Sequence, residues 1–445
     1  MNMLLKKGTI LFLGLMAFHM GISVLMSWVV RMPYFLSHNA GLGLWRFAGD
    51  SIGYHEYAIK ILGFLKEGDY VHWWTDSVCW HVKLISLSYG MIAPHPLSFA
   101  PINAAAWAMS VLLVFGITRQ LFHDRLRLAI VSCLAFGFCP SYLLNTTQLL
   151  KEPFYVMGII MVIWGWVGLL SGRESYKCCL SVGLGSLLAC LTRGFILVPL
   201  VFLSLLAMLF VVWRTGQLWK HALLASVFVV GIYVIEHQTD MEFYRPGAIE
   251  LGDIYASRIL AARQQKSQSE KEKNFLWQGR KGGYFGLCRW LEYPSIMISY
   301  ARGSFAHTYL NAGTNIDTEV NFRSVGDIVF YIPRALQVGF LAPFPNQWFG
   351  KGKAAGRIGR IIGGLETIGW YILLPGFLYF LGTGTVALQI RVWLALYCIS
   401  MVLLAALVVT NIGALMRMRF VYLLPVLIGG LQGWSRFIWR KKCFA

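Results

Sequence analysis

The sequence predicts an all-α polytopic membrane protein, a helix bundle of about ten spans with two long loops on the outer face. The 445-residue chain is 57% hydrophobic and only 13% charged, whereas a soluble domain carries roughly 25% charged residues. Apolar runs long enough to cross a bilayer recur along the chain, and basic residues flank them. These two features together favour a membrane bundle over a soluble fold.

The predicted spans are apolar runs in which a helix can close its backbone hydrogen bonds internally. They cover residues 9–30, 98–118, 128–146, 153–171, 178–192, 194–213, 221–236, 363–383, 391–410 and 420–435. Segment 328–346 is also apolar, but a span there would place the basic C-terminus outside. An interfacial or re-entrant helix is therefore predicted for it. The first span follows Lys6 and Lys7 and has no small-residue cleavage site, so we expect it to be retained.

The basic residues set the predicted orientation. The chain has 39 Lys and Arg against 20 Asp and Glu, a net charge of +19, and most of the excess flanks the spans on one side. That side is expected to be the cytoplasm, and anionic lipid accounts for the charge better than nucleic acid. The predicted organisation has three parts. They are residues 1–236 with outer loop one (31–97), outer loop two with its interfacial helix (237–362), and C-terminal spans with a basic cytoplasmic tail (363–445).

The nine cysteines lack metal-ligand spacing, and most lie inside apolar runs. We expect these to act as small apolar side chains. Cys79 and Cys288 fall in the two outer loops and are candidates for a disulfide that the sequence alone does not establish.

The first polar cluster at the outer face is the segment 49–58 (GDSIGYHEYA) in loop one. Gly49 allows a sharp turn before Asp50. An amphipathic stretch begins at Tyr54, and its apolar residues Ile61, Leu62 and Leu65 are expected to rest on the membrane surface. Asp50 would then be presented near the interface. The alternative is that Asp50 only caps this helix.

Further charges fall at the outer ends of predicted spans, where they are costly to hold. They are Lys151 and Glu152 before Pro153, Arg193 in the hairpin 192–194, and Arg417 and Arg419 at the start of the last span. Each group has two explanations. It is either a solvated turn or headgroup anchor, or part of a clamp on a phosphate.

The order of these parts resembles the GT-C superfamily of membrane glycosyltransferases, which includes protein O-mannosyltransferases and the lipid A aminoarabinose transferase. Those enzymes have a catalytic Asp in the first outer loop, the place that Asp50 occupies here. Their next short outer turn carries charged residues, as Lys151-Glu152-Pro153 does, and their long outer loop corresponds to 237–362. Loop one lacks the paired acidic motif of the O-mannosyltransferases.

Three later motifs resemble a bacterial branch of this superfamily that is associated with polysaccharide synthesis. They are the segment 341–348 (LAPFPNQW), Glu366 and the segment 411–419 (NIGALMRMR). The resemblance covers most of the chain in layout but only short motifs in residues.

The resemblance implies a GT-C-like bundle with its catalytic module in 1–236. It implies an inverting transfer of a sugar from a polyprenyl-phosphate donor to a glycan, lipid or protein acceptor at the outer face of a bacterial cytoplasmic membrane. The predicted catalytic residues are Asp50 and Glu152, and the predicted substrate-binding residues are Tyr54, His55, Lys151, Arg193, Arg417 and Arg419. Lipid phosphate is a good leaving group, so no cofactor is expected, and no metal-ligand set is evident.

Two other functions fit parts of the pattern. A polysaccharide polymerase or ligase would share the lipid-linked substrate and the outer arginines. A lipid-linked sugar transporter would be expected to show internal repeats and charges at the bilayer midplane. The charges here gather at one face, which disfavours transport.

Reporter fusions test the predicted topology. Because the basic segments hold the cytoplasmic side, fusions in the two loops and the last turn should report outside, and fusions between basic spans should report inside. The outside positions are Gly68, Gln265 and Gly413; the inside positions are Arg125, Thr215 and the C-terminus. An inside signal at Gln265 would contradict the proposed site, because loop two would then lie across the membrane from Asp50.

Overall fold

The computed structural model describes residues 2–76, 78–173, 175–238, 288–308, 313–322, 324–350, 352 and 356–444. Helices dominate these residues. The sheet found among them is a two-stranded antiparallel hairpin, β1 (Asn39–Gly41) and β2 (Leu44–Trp45), in loop one. The predicted all-α class is confirmed. Residues 239–287 of predicted loop two lie outside the described part, as does the side chain of Cys288 and with it the question of a pairing with Cys79.

The helices alternate between long apolar segments and shorter segments in the loops. In chain order they are α1 (Asn2–Val29), α2 (Asp50–Lys66), α3 (Tyr70–Thr75), α4 (Trp80–Met91), α5 (Ala100–Leu121), α6 (Leu126–Gly137), α7 (Pro140–Thr146), α8 (Glu152–Leu170), α9 (Tyr176–Thr192), α10 (Leu197–Thr215), α11 (Trp219–Gln238), α12 (Cys288–Thr308), α13 (Val325–Leu341), α14 (Gly356–Thr383), α15 (Leu388–Val408), α16 (Ile412–Tyr422) and α17 (Leu424–Phe444). Four short 3₁₀ segments in the first half connect them, at Pro33–His38, Arg46–Ala48, Pro96–Phe99 and Gly194–Ile196.

Several helices are long and apolar enough to cross a membrane. Among the described residues these are Gly8–Val29, Pro96–Leu121, Glu152–Leu170, Leu197–Arg214, Gly356–Thr383 and Leu388–Val408. The interrupted pairs α6 with α7 and α16 with α17 pass the same test when each pair is taken together, which gives 6 to 8 candidate spans. The apolar helices Tyr176–Thr192 and Trp219–Ile235 are shorter. The chain therefore has the helices of a multi-pass membrane protein, and the count of ten stays a prediction.

Helix α13 covers most of the apolar segment 328–346 and is not among the candidate spans of the described residues. It is amphipathic. Ile328, Ala335 and Val338 are buried on one side, whereas Val329 and Phe330 are exposed on the other. This pattern agrees with the expectation that the segment does not span, and its place at the membrane interface stays a prediction.

The chain forms two compact units. The described residues within Met1–Ile249, Ile368–Cys398 and Leu423–Ala445 make up the first, and those within Glu250–Thr367 and Ile399–Tyr422 make up the second. The predicted division at 236 and 362 differs from this one because it follows the chain, whereas the units are defined by packing.

In the first unit, polar side chains point inward and apolar side chains point outward along α1. His19 and Ser23 are buried, and the His19 Nε2 lies 2.9 Å from the Thr146 hydroxyl. Ile10 and Trp28 are 70% and 60% exposed. A helix whose exposed surface is apolar is stable only in an apolar surrounding, which fits a lipid-facing span.

Helices α8 and α9 approach so closely that only glycine fits at their contact. A Cβ added at Gly185 would lie 2.5 Å from the Gly158 carbonyl oxygen, and one at Gly165 would lie 2.5 Å from the Cys178 carbonyl oxygen. Ser181 adds a hydrogen bond of 2.8 Å to the Met161 carbonyl. Small residues at such interfaces are what lets membrane helices pack backbone to backbone. This contact fixes the spacing between the first residue of α8, Glu152, and the end of α9.

In the second unit, two buried arginines bond to the ends of helices. Arg302 donates to the carbonyls of Ala406 and Leu407 at 3.3 and 3.0 Å, in the last turn of α15. Arg419 donates to the Gly339 carbonyl at 2.7 Å, near the end of α13. The last carbonyls of a helix have no partner within it, so both arginines stabilise helix ends.

Substitution at the α8–α9 contact should destabilise the first unit. Gly185→Ala places a methyl group against the Gly158 carbonyl, and overpacking of this kind costs about 1–3 kcal/mol, which exceeds the gain in helix propensity of up to about 1 kcal/mol. Gly14→Ala in α1 is the control, because no atom lies within 4 Å of the added Cβ. Thermal unfolding in detergent should show a lower midpoint for Gly185→Ala only. Equal midpoints for the two variants would contradict the close contact.

Candidate functional site

Asp50 is the first residue of α2 and is exposed. The N-cap position is held by Gly49, which has no side chain, so Asp50 does not fill the cap. Asp50 is therefore not at the position that the helix-cap explanation requires. A carboxylate in the first turn is nevertheless favoured by the positive end of the helix dipole. The position presents Asp50 to solvent on a fixed element.

The apolar face of α2 is covered by protein. Ile61 and Leu62 are buried, and Leu62 lies against Gly90 of α4. The expectation that these two residues rest on the membrane surface is wrong, because α4 folds back over them. Leu65 is half-buried. Helix α2 is thereby held by packing rather than by lipid.

Tyr54 and His55 lie in the buried part of α2. The His55 Nδ1 is 2.7 Å from the Tyr89 hydroxyl, and burial together with the nearby charge of His95 lowers the pKa of His55. The Tyr54 ring contacts the ring of His81 edge to face, with 5.2 Å between centroids. Tyr54 is four residues after Asp50, so the two share a face of the helix. The His55 side chain is thus paired with Tyr89 inside the protein. Tyr54 lies on the same face of α2 as Asp50 and contacts His81.

The turn before α8 is held from two sides. The Asn103 side chain of α5 donates to the Gln148 carbonyl at 2.7 Å, and the Trp45 backbone N–H of the hairpin donates to the Gln148 side chain at 3.1 Å. Lys151 and Glu152, which follow, are only 8% and 5% exposed. This burial excludes the explanation of a solvated turn.

Glu152 and Arg193 form a buried ion pair. The Arg193 Nη2 donates to the Glu152 Oε1 at 3.1 Å, and the side chains are 9% and 6% exposed. The guanidinium also lies over the ring of Tyr155, 5.1 Å from its centroid. An arginine enclosed in this way is not an anchor for lipid headgroups. The structure thus brings together three predicted site residues, Lys151, Glu152 and Arg193, at the ends of α8 and α9.

Loop one is attached to the same place through α4. The indole N–H of Trp80, the first residue of α4, donates to the Leu191 carbonyl at 2.7 Å, two residues before Arg193. Trp80 also packs edge to face on Phe154 in the first turn of α8. The start of α4 therefore lies against the ends of both helices that carry the ion pair.

His81 is a member of this cluster that the sequence did not reveal. It is fully buried and contacts the rings of Tyr54, Phe99 and Phe154. Burial and the charge of Lys151 lower the pKa of His81 to about 3, against the smaller opposing effects of Glu152 and the Leu150 carbonyl. The imidazole is uncharged at neutral pH. A single histidine in an apolar loop helix carries no pattern from which this position could have been predicted.

The other two predicted residues lie in the second unit. Arg417 and Arg419 are both on the regular helix α16, so their side chains diverge by about 200°. Arg419 is 1% exposed and bonds to the Gly339 carbonyl, whereas Arg417 is half-buried. One phosphate cannot be held by both through one face of this helix. Within the described residues, no group of three or more His, Cys, Asp or Glu side chains is arranged to hold a metal ion.

Comparison with protein-family models, curated proteins and solved structures finds no match to this chain. The resemblance to the GT-C superfamily therefore stays a prediction. It rests on the order of parts and on short motifs.

A double-mutant cycle measures the ion pair. Glu152→Gln and Arg193→Gln should each destabilise the protein by about 3–5 kcal/mol, because each leaves a charge buried without its partner. The double variant should lose less than the sum, with a coupling of about 1–3 kcal/mol. Reversible unfolding by SDS in mixed micelles provides the measurement.

The control cycle uses Asp317 and Arg334 of the second unit, which lie 2.9 Å apart with the arginine side chain 40% exposed. Solvent reaches the arginine of that pair, so its coupling should be smaller than that of the enclosed pair. Equal couplings in the two cycles would contradict the assignment of Glu152 and Arg193 as a buried pair.

Proposed function

We propose that this chain is an inverting glycosyltransferase of the GT-C type. It moves a sugar from a polyprenyl-phosphate donor to a hydroxyl acceptor at the outer face of a bacterial cytoplasmic membrane, in the synthesis of a cell-surface polysaccharide or glycolipid. The observation that carries the proposal is the buried group of Lys151, Glu152 and Arg193 next to the loop helices, one of which begins with Asp50.

The charges of this group support a site for a lipid phosphate. Lys151 and Arg193 contribute two positive charges and Glu152 one negative charge, all at the end of apolar helices. Buried charges cost free energy, and a structural role would be served as well by apolar packing. Cations held in a site of low dielectric stabilise negative charge that develops on a leaving phosphate. In the proposal, Lys151 and Arg193 stabilise the leaving phosphate in this way.

The chemistry uses one displacement. Asp50 takes the proton of the acceptor hydroxyl while the hydroxyl oxygen forms a bond to the anomeric carbon. The bond from that carbon to the phosphate oxygen breaks, and its electron pair leaves on the lipid phosphate. Lys151 and Arg193 neutralise the phosphate, and Glu152 orients the guanidinium of Arg193. A single displacement inverts the anomeric centre.

The surroundings of Asp50 suit an acceptor, and those of Lys151 and Arg193 suit a lipid-linked donor. Asp50 is exposed, so it is open to an acceptor on the aqueous side. Lys151 and Arg193 are enclosed beside apolar helices, where a polyprenyl chain is soluble. Arg417 and Arg419 lie in the second unit, where Arg419 is engaged with the end of α13. Tyr54, on the helix that begins with Asp50, contacts His81 of the buried cluster.

Asp50→Asn tests the base. The change keeps size but removes basicity, and loss of a general base lowers turnover by about 10²- to 10⁴-fold. The assay is release of polyprenyl phosphate from a panel of polyprenyl-phosphate sugars by the purified protein. Expression and thermal unfolding should match those of the wild type.

Asp69→Asn is the matched control. Asp69 lies in the same loop and caps α3 by accepting from the His72 backbone N–H. Asn caps about as well as Asp, so this variant should keep turnover and stability. Wild-type turnover by Asp50→Asn would exclude Asp50 as the base. Full turnover by both variants together with loss in Arg193→Ala would instead favour a polymerase or ligase that depends on the arginine.

A further inference from the structure

His81 is expected to destabilise the fold, because its polar ring atoms are buried. It is fully buried, and among the described residues neither of its ring nitrogens makes a hydrogen bond of normal geometry. A buried polar group without a partner destabilises a protein. Phenylalanine would fill nearly the same volume among Tyr54, Phe99 and Phe154 without that penalty. The imidazole is therefore not explained by packing.

The second buried histidine of loop one shows the ordinary arrangement. His55 pairs with the Tyr89 hydroxyl at 2.7 Å, so its polar atoms contribute to stability. His81 lies elsewhere, beside the charges of Lys151 and Glu152. Its ring also touches Tyr54 of α2 and Phe154 of α8. His81 thus lies between α2, which begins with Asp50, and the start of α8, which follows Lys151.

We propose that His81 is a positioning residue for the donor site: it accepts a hydrogen bond from Lys151 when a lipid phosphate is bound and so holds the ammonium in place. This inference rests on the proposed function. A neutral imidazole nitrogen accepts a hydrogen bond from an ammonium and leaves its charge intact. A carboxylate at this position would cancel the charge that the phosphate needs. The low pKa of His81, about 3, keeps the ring neutral at all physiological pH values.

The proposal predicts that stability and binding respond in opposite directions. His81→Phe should unfold at the same temperature as the wild type or higher, because it removes two buried ring nitrogens that make no hydrogen bond of normal geometry to a described residue. Its affinity for undecaprenyl phosphate should fall by about tenfold, the effect of one lost hydrogen bond to a charged group. A purely structural histidine would show the reverse pattern, with lower stability and unchanged affinity.

Two further variants sharpen the test. His81→Gln retains an acceptor oxygen, so it should bind within about threefold of the wild type, well inside the tenfold loss expected for one hydrogen bond. His55→Phe is the stability control, since it strands the buried Tyr89 hydroxyl and should lower the unfolding temperature. Thermal unfolding is followed by tryptophan fluorescence in detergent. Lipid binding is measured by native mass spectrometry with undecaprenyl phosphate and, as a control anion, phosphatidylglycerol.

The outcomes separate the two proposals. If the wild type does not bind undecaprenyl phosphate more tightly than phosphatidylglycerol, the donor site and this inference both fail. If the wild type does bind it preferentially and His81→Phe binds equally well, only the role of His81 is overturned. Failure of His81→Phe to fold would refute the cost argument, and weak binding by His81→Gln would refute the role of the acceptor atom.

Discussion

The buried ion pair between Glu152 and Arg193 is the constraint on which the candidate site depends. Two opposite charges in an apolar surrounding are tolerated only when their distance is held, because separation leaves each one desolvated. Here the partners come from the start of α8 and the end of α9, so their 3.1 Å contact requires a fixed spacing of two helices. The backbone contact at Gly158 and Gly185 provides that spacing.

The loop segments add to this helix pair in an order that follows from the contacts. Gln148 is held by Asn103 and Trp45, which keeps Lys151 in the interior beside the ion pair. Trp80 attaches α4 to the end of α9 by its bond to the Leu191 carbonyl. Helix α2 then packs on α4 through Leu62, and Asp50 is carried at its start. Each polar group is thus positioned by a rigid neighbour, the arrangement that a preorganised site requires.

The membrane class and most helices could be predicted from the sequence, because hydropathy and length are local properties of the chain. The burial of charged side chains could not be predicted from the sequence. For Lys151 and Glu152 the sequence left two explanations, a solvated turn or part of a phosphate clamp, because the contacts that hold the turn at Gln148 come from Trp45 and Asn103, far away in sequence. The covering of Leu62 by α4 was missed for the same reason. His81 has no pattern at all, because its significance lies in the partners that it lacks and in its distant neighbours.

The arginines show why charge type alone does not identify a phosphate site. Arg302 and Arg419 are as buried as Arg193, yet their donors go to the carbonyls of Leu407 and Gly339 at helix ends. A helix end offers only partial negative charge, and it is a permanent partner. Arg193 instead faces a carboxylate, a partner whose task can be orientation as well as neutralisation. An arginine that caps a helix end and an arginine in an ion pair are therefore distinguished by the acceptor that each one faces, and that acceptor is set by tertiary packing.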